Sequence, residues 1–296
     1  MSEKGTLFDD EFLKKLEYLN LVSSHMIPGH MHGEHRAKKT TGSGIEFADY
    51  QQYVSGEDTK NVDWRTYLRL DKLIVRLFEE EADLPIYIFF DASASMSYGV
   101  PAKFDYARKI AAALCYVGLL NQDRVNLVGF ADGIAQELSA RRGKHQVWHA
   151  FRFLESVEAG GTTSMEKAFK GFFSSRRRRG LVVVVSDFMD EAGFSKGFDM
   201  LRYFRQDIFA VHIHSPEEVR PDLPDEVLLE DAERGTSRRV RVTPALLDAY
   251  AEQFDEHCEE VSGHCRKNGW GYVRTTTDIP FEDLILQVFR QGRFLK

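Results

Sequence analysis

The stretch richest in chemistry is Asp91-Ala92-Ser93-Ala94-Ser95, which follows directly on the apolar run Ile86-Tyr87-Ile88-Phe89-Phe90. It offers one carboxylate and two alternating hydroxyls, all oxygen donors. Two further polar clusters have a similar setting. Gly160-Gly161-Thr162-Thr163-Ser164 precedes a helical pattern, and Ser186-Asp187 closes the run Leu181-Val182-Val183-Val184-Val185. If the two apolar runs are central strands, Asp91 and Asp187 meet at their carboxyl ends, where open α/β sheets collect ligands. Two carboxylates in a partly dry crevice repel each other, and a divalent cation removes that cost. Carboxylates, hydroxyls and waters suit a hard ion such as Mg2+ or Mn2+. The plainer reading is a set of polar strand ends and helix caps.

Placing these residues together requires a sheet. Strand-like runs at 86–91, 124–131, 180–188, 207–215 and 271–278 alternate with helical patterns at 103–120, 145–157, 165–175, 194–206, 243–269 and 280–291. That alternation predicts an α/β fold with a doubly wound, mostly parallel central sheet. Residues 134–138 suit a hairpin partner for 124–131, and 226–231 with 237–243 suit a two-stranded insertion. Thr243-Pro244 has the N-cap and first-position chemistry of a helix start. Upstream, 7–22 has helical spacing and 73–81 is strand-like, while 23–44 reads as a loop rich in Gly, Ser, Thr and His. His25, His30, His32 and His35 in that loop fit no common zinc spacing. The expected division is a companion region over 1–83 and a sheet domain over 84–296.

Of 296 residues, 43% are hydrophobic and 29% charged, the profile of a globular protein. The formal net charge of −7 argues against nucleic acid as a partner. Cys115, Cys258 and Cys265 are too few and odd in number for a disulfide framework. Cys258 and Cys265 fall on one helix, about 10.5 Å apart at ~1.5 Å rise per residue, too far for a bridge, and read as ordinary helix residues. No apolar run reaches about 18 residues, and the N-terminus lacks the pattern of a signal peptide. The expectation is a cytoplasmic protein without a membrane span.

Taken in order, Asp-x-Ser-x-Ser, a Gly-Gly-Thr loop and a strand-end Asp resemble the metal-ion-dependent adhesion site of the von Willebrand factor A fold. The resemblance implies Asp91, Ser93, Ser95, Thr162 and Asp187 as ligands, the serines directly and Thr162 and Asp187 directly or through water. Thr163 is the less favoured threonine. A second resemblance lies upstream. Gly42, Gly44, Glu46, Phe47, Asp49, Tyr53, Gly56, Asp58, Asp63, Trp64 and Arg69 are similar to the signature of the domain-of-unknown-function 58 family. Gln51, Glu57 and Lys60 depart from it. Together the two resemblances cover roughly residues 42–190. Members of that family often accompany MoxR-type AAA+ ATPases, which implies such an ATPase as partner.

The expected function is metal-dependent protein binding, as an adaptor or assembly factor, with a partner's acidic residue completing the metal's coordination. An enzyme is not expected. The first loop lacks the second aspartate of Asp-x-Asp phosphatases, and the sequence places no histidine or lysine beside these loops to act as a base. The alternatives are a metal-assisted phosphohydrolase using the same carboxylates, or a structural domain with a vestigial site.

Overall fold

The computed structural model describes residues 7–26, 37–41, 46–54, 62–81, 85–139, 142–175 and 178–291. The chain divides into two units, one of Met1–Met26 with Leu84–Leu295 and one of Ile27–Asp83.

The larger unit is built on a six-stranded sheet. Its strands are β4 (Ile86–Asp91), β5 (Val125–Phe130), β6 (Ile134–Ser139), β7 (Leu181–Ser186), β8 (Asp207–His214) and β11 (Gly271–Thr276). Their order is β11-β8-β7-β4-β5-β6, with every pairing parallel except the β5–β6 hairpin. The chain runs from β4 outward to β5, then returns to β7 on the other side of β4. The order in which the chain adds strands therefore reverses between β4 and β7, the kind of place at which open α/β sheets collect ligands at the strands' carboxyl ends.

Both faces of the sheet are covered, which explains why β4 is apolar up to Asp91 and β7 up to Ser186. Successive side chains point to opposite faces. Ile86, Ile88, Phe90, Val183 and Val185 pack with α3 (Lys103–Leu120), α4 (Val147–Ser156) and α9 (Phe281–Gln291). Tyr87, Phe89, Val182 and Val184 pack with α5 (Met165–Phe173), α6 (Phe194–Tyr203) and α8 (Pro244–Lys267). The cap expected for α8 is present, since the Leu246 amide donates to Thr243 Oγ1 at 3.2 Å. The two-stranded insertion forms as β9 (Glu226–Glu230) and β10 (Ser237–Arg241), paired antiparallel outside the main sheet.

The N-terminal helix α1 (Asp10–Met26) belongs to this unit rather than to the companion region, which corrects the division expected at residue 83/84. The cause is its apolar stripe. Phe8, Phe12, Leu16 and Leu19 are buried in the core that α3 and α9 share. The Phe12 ring lies 4.9 Å from that of Phe281 and 6.1 Å from that of Phe151. Phe12→Ala is expected to lower stability by about 3–5 kcal/mol, read as a fall in the urea midpoint of the larger unit. A loss under ~1 kcal/mol would mean that α1 is peripheral to this core.

The smaller unit holds a three-stranded antiparallel sheet ordered β1-β3-β2, from β1 (Ala37–Thr41), β2 (Glu46–Gln52) and β3 (Ile74–Glu81). Helix α2 (Trp64–Leu70) is capped by Asp63, whose Oδ1 accepts from the Arg65 and Thr66 amides. The expected strand at 73–81 is thus present. The expected loop at 23–44 is not continuous, because α1 reaches Met26 and Ala37–Thr41 pairs with Leu77–Glu81. His30, His32, His35, Gly42, Gly44, Gly56, Glu57, Asp58 and Lys60 lie outside the described residues.

Candidate metal centre

Asp91 ends β4 and Asp187 follows β7, and these strands are neighbours in register. The Asp-x-Ser-x-Ser turn folds back on the aspartate. The Ser93 amide donates to Asp91 Oδ1 at 2.9 Å, and Ser186 Oγ donates to Asp91 Oδ2 at 2.6 Å. Ser93 Oγ and Ser95 Oγ are 3.0 Å apart, and Ser95 Oγ donates to Asp187 Oδ2 at 3.2 Å. Four of the five expected residues therefore form one hydrogen-bonded set. Asp91, Ser93 and Asp187 are buried.

The Gly-Gly-Thr loop joins this set through its backbone. The Gly160 amide donates to the Ala92 carbonyl at 2.7 Å, and the Ala94 amide donates to the Gly161 carbonyl at 3.0 Å. Gly161 has φ +79°, a conformation that a side chain would disfavour. The two threonines have different surroundings. Thr162 is exposed. Thr163 is buried, and its Oγ1 donates to Glu233 Oε1 at 2.9 Å. Glu233 comes from the turn between β9 and β10.

The sequence pattern places no lysine or histidine here, and the structure corrects that expectation. Lys103, the first residue of α3, is buried with its ammonium 2.7 Å from Asp187 Oδ2 and also bonded to Glu218. Glu218 ends a capping box in α7 (Pro216–Val219). Its Oε2 accepts from the Ser215 amide at 2.8 Å, and its own amide donates to Ser215 Oγ. Gly99 makes room for that cap, because a Cβ there would stand 2.6 Å from Ser215 Cβ. His212 lies behind the site, with Nε2 2.9 Å from the Asp187 carbonyl oxygen. A carbonyl only accepts, so that nitrogen carries the proton.

These contacts set the charges. Burial pushes the Asp91 carboxyl up to about 7, and the negative charge of Asp187 adds to the effect. Burial also opposes ionisation of Asp187, but the Lys103 ammonium outweighs it and holds that carboxyl below its ordinary value. Burial works against charge on Lys103 too, yet Asp187 and Glu218 outweigh it and hold the ammonium above its ordinary value. Burial, then the neighbouring His214 and His257, push His212 well down, so it is neutral. Burial and the nearby Asp187 raise Glu233.

Asp187 and Glu218 share the Lys103 ammonium, while the Asp91 carboxylate bonds only to Ser93 and Ser186 among the described residues, so the site is short of positive charge. Apart from the Lys103 ammonium, the side chains of this set offer only oxygen. By donor chemistry Asp91, Ser93, Ser95 and Asp187 fit a hard divalent cation, with Lys103 already committed to one of the carboxylates. Thr162 is the threonine open to solvent.

The larger unit is therefore a doubly wound α/β domain with a cluster of oxygen-bearing side chains at its switch point. The chain belongs to the family described as protein of unknown function DUF58, whose model matches residues 49–260. An uncharacterized protein of Mycobacterium tuberculosis and one of Mycobacterium bovis are each 27% identical over 93% of this chain and 88% of theirs. Among solved structures, the conserved hypothetical protein BatB from Bacteroides thetaiotaomicron is 15% identical, with a TM-score of 0.42 over 70% of this chain and 97% of that one. The SpRpn10 VWA domain is 13% identical, with a TM-score of 0.39 over 69% and 94%. No helix among the described residues is long and apolar enough to cross a membrane.

Proposed function

We propose that the larger unit is a metal-dependent protein-binding module. The observation that carries this reading is the hydrogen-bonded oxygen set of Asp91, Ser93, Ser95 and Asp187 at the switch point, short of positive charge. Asp91, Ser93, Ser95, Thr162 and Asp187 would hold Mg2+ or Mn2+, and the ion would offer a coordination position to a partner's Asp or Glu. Tyr98 and Val100 are exposed in the loop that leaves the serines, 51% and 84% respectively, and give such a partner apolar area to cover.

Hydrolysis is less well supported. A phosphohydrolase needs a base within reach of the attacking water. Lys103 is held protonated, and the site-facing nitrogen of neutral His212 already carries a proton for the Asp187 carbonyl. The partner we propose is a MoxR-type AAA+ ATPase in the cytoplasm. The three cysteines, all buried and unpaired, suit a reducing compartment.

The test is calorimetric titration of Mg2+ and Mn2+ into the full chain and into Asp91→Ala, with and without a short acidic peptide. Metal binding that the peptide strengthens and the substitution abolishes is the expected result. Wild-type protein that binds neither ion, even with the ATPase present, would reduce the motif to a polar loop.

A further inference from the structure

A second cluster of metal-ligating side chains lies on the α8 side of the sheet. His212 and His214 are on β8, two residues apart and hence on one face, and Cys258 faces them from α8. All three are buried, and a ligand atom from each lies within 4.8 Å of the others. The oxygen pocket uses only the backbone contact of His212. We propose that His212, His214 and Cys258 form a nitrogen–sulfur site for a Zn2+-class divalent ion, separate from the oxygen pocket.

The geometry carries this assignment. Zn–N bonds of ~2.0 Å and Zn–S bonds of ~2.3 Å in a tetrahedron place neighbouring donors ~3.5 Å apart. Cys258 Sγ stands 3.6 Å from His214 Nε2. The tautomer of His212 also suits a ligand. Its Nε2 proton is committed to the Asp187 carbonyl, which makes Nδ1 an acceptor, engaged by the Tyr272 hydroxyl at 3.0 Å, which a metal ion would displace. Metal-bound imidazoles commonly have their second nitrogen held by a carbonyl or carboxylate in this way.

A further buried nitrogen points to a missing ligand. His257 Nε2 has no hydrogen-bond partner. Buried polar atoms rarely stay unsatisfied. The His257 ring lies 5.7 Å from that of His212, outside the three-residue group, and would have to move inward to become a fourth ligand. Thiolate sulfur with imidazoles selects a borderline ion over Mg2+. On binding, the Cys258 S–H bond breaks, its proton leaves to solvent, and the sulfur lone pair forms the bond to the metal. No oxidant or reductant is required.

The test uses Co2+ as a spectroscopic stand-in for Zn2+, titrated into the full chain after treatment with a chelator. A saturable thiolate-to-cobalt charge-transfer band at one equivalent, displaced by Zn2+, is expected. Cys258→Ser should lose the band, and His214→Asn should weaken binding of Co2+. Asp91→Ala, which disables the oxygen pocket, should leave the band intact, so the two sites can fail separately. Circular dichroism of each variant checks its fold. If wild-type protein develops no thiolate band, or if Cys258→Ser keeps it, the assignment is wrong. The wild-type titration decides the matter by itself should a variant fail to fold.

Discussion

Lys103→Met is expected to destabilise the metal-free protein by about 3–5 kcal/mol, the usual cost of leaving one partner of a buried ion pair uncompensated. Lys103 and Asp187 are each 1% exposed, so water cannot take over the solvation of the carboxylate. Methionine keeps the unbranched apolar stem of the lysine and lacks only its terminal ammonium, so the loss reports mainly charge rather than a cavity. Mg2+ should repair much of the damage. A ligand at ~100 times its Kd contributes ~2.7 kcal/mol, and in the variant the ion no longer shares Asp187 with an ammonium. The urea midpoint of Lys103→Met should therefore rise more with Mg2+ than that of wild type, and its Mg2+ affinity should be higher. Equal Mg2+ stabilisation of the two proteins would show that Lys103 and the metal do not compete for the same charge.

Much of this architecture is visible in the sequence because hydrophobic pattern controls it. Ile86–Phe90 and Leu181–Val185 are apolar at every position, which only a strand covered on both faces requires. Asp91 and Asp187 end those runs, so their meeting follows from the sheet order. Residues 37–41 are harder to read, since Ala-Lys-Lys-Thr-Thr carries too little apolar periodicity to signal a strand before its partner is known. Lys103, Glu218 and Glu233 reach the site through tertiary contacts, which spacing does not reveal.

Two of those three nevertheless left local signals. A lysine at the first residue of a helix is opposed by the macrodipole, so Lys103 at the start of α3 implies compensating acids. Ser215-Pro216-Glu217-Glu218 has the capping-box pattern with proline at the first position, which locates Glu218 at a helix start just after β8. Glu233 has no comparable mark, because only the fold of the β9–β10 turn brings it to Thr163. The His212–His214–Cys258 group is similar. Its members are 44 residues apart between His214 and Cys258, and only the packing of α8 on β8 joins them.

Asp91→Asn should separate the metal-free and metal-bound states by reversing the order of stability. The Asp91 carboxyl rises from an ordinary value of 3.8 to about 7 in the fold, burial being the main cause and Asp187 the second. Between those values the native state holds more protons than the unfolded one, so stability falls as pH rises from ~4 to ~7. A displacement of about three units corresponds to ~4 kcal/mol once Asp91 is fully ionised. Asparagine carries no charge, so the variant should lack this decline. Part of the gain is lost again, because Ser186 Oγ donates to Asp91 and accepts from the Phe188 amide, and an amide nitrogen at that position cannot accept its proton. Asp187 acts in the other direction. Its lowered carboxyl stabilises the fold above its ordinary value of 3.8, and that contribution disappears as pH drops further. At pH 8 without metal, Asp91→Asn should thus be more stable than wild type by one to a few kcal/mol, well within that ~4 kcal/mol limit. With saturating Mg2+ the order should invert, since only wild type retains the carboxylate that binds the ion. Urea unfolding of both proteins across pH 4–8, with Mg2+ and with chelator, measures this directly. A metal-free variant less stable than wild type at pH 8 would mean that Asp91 is not under electrostatic stress, and the charge deficit that favours a cation in this pocket would be absent.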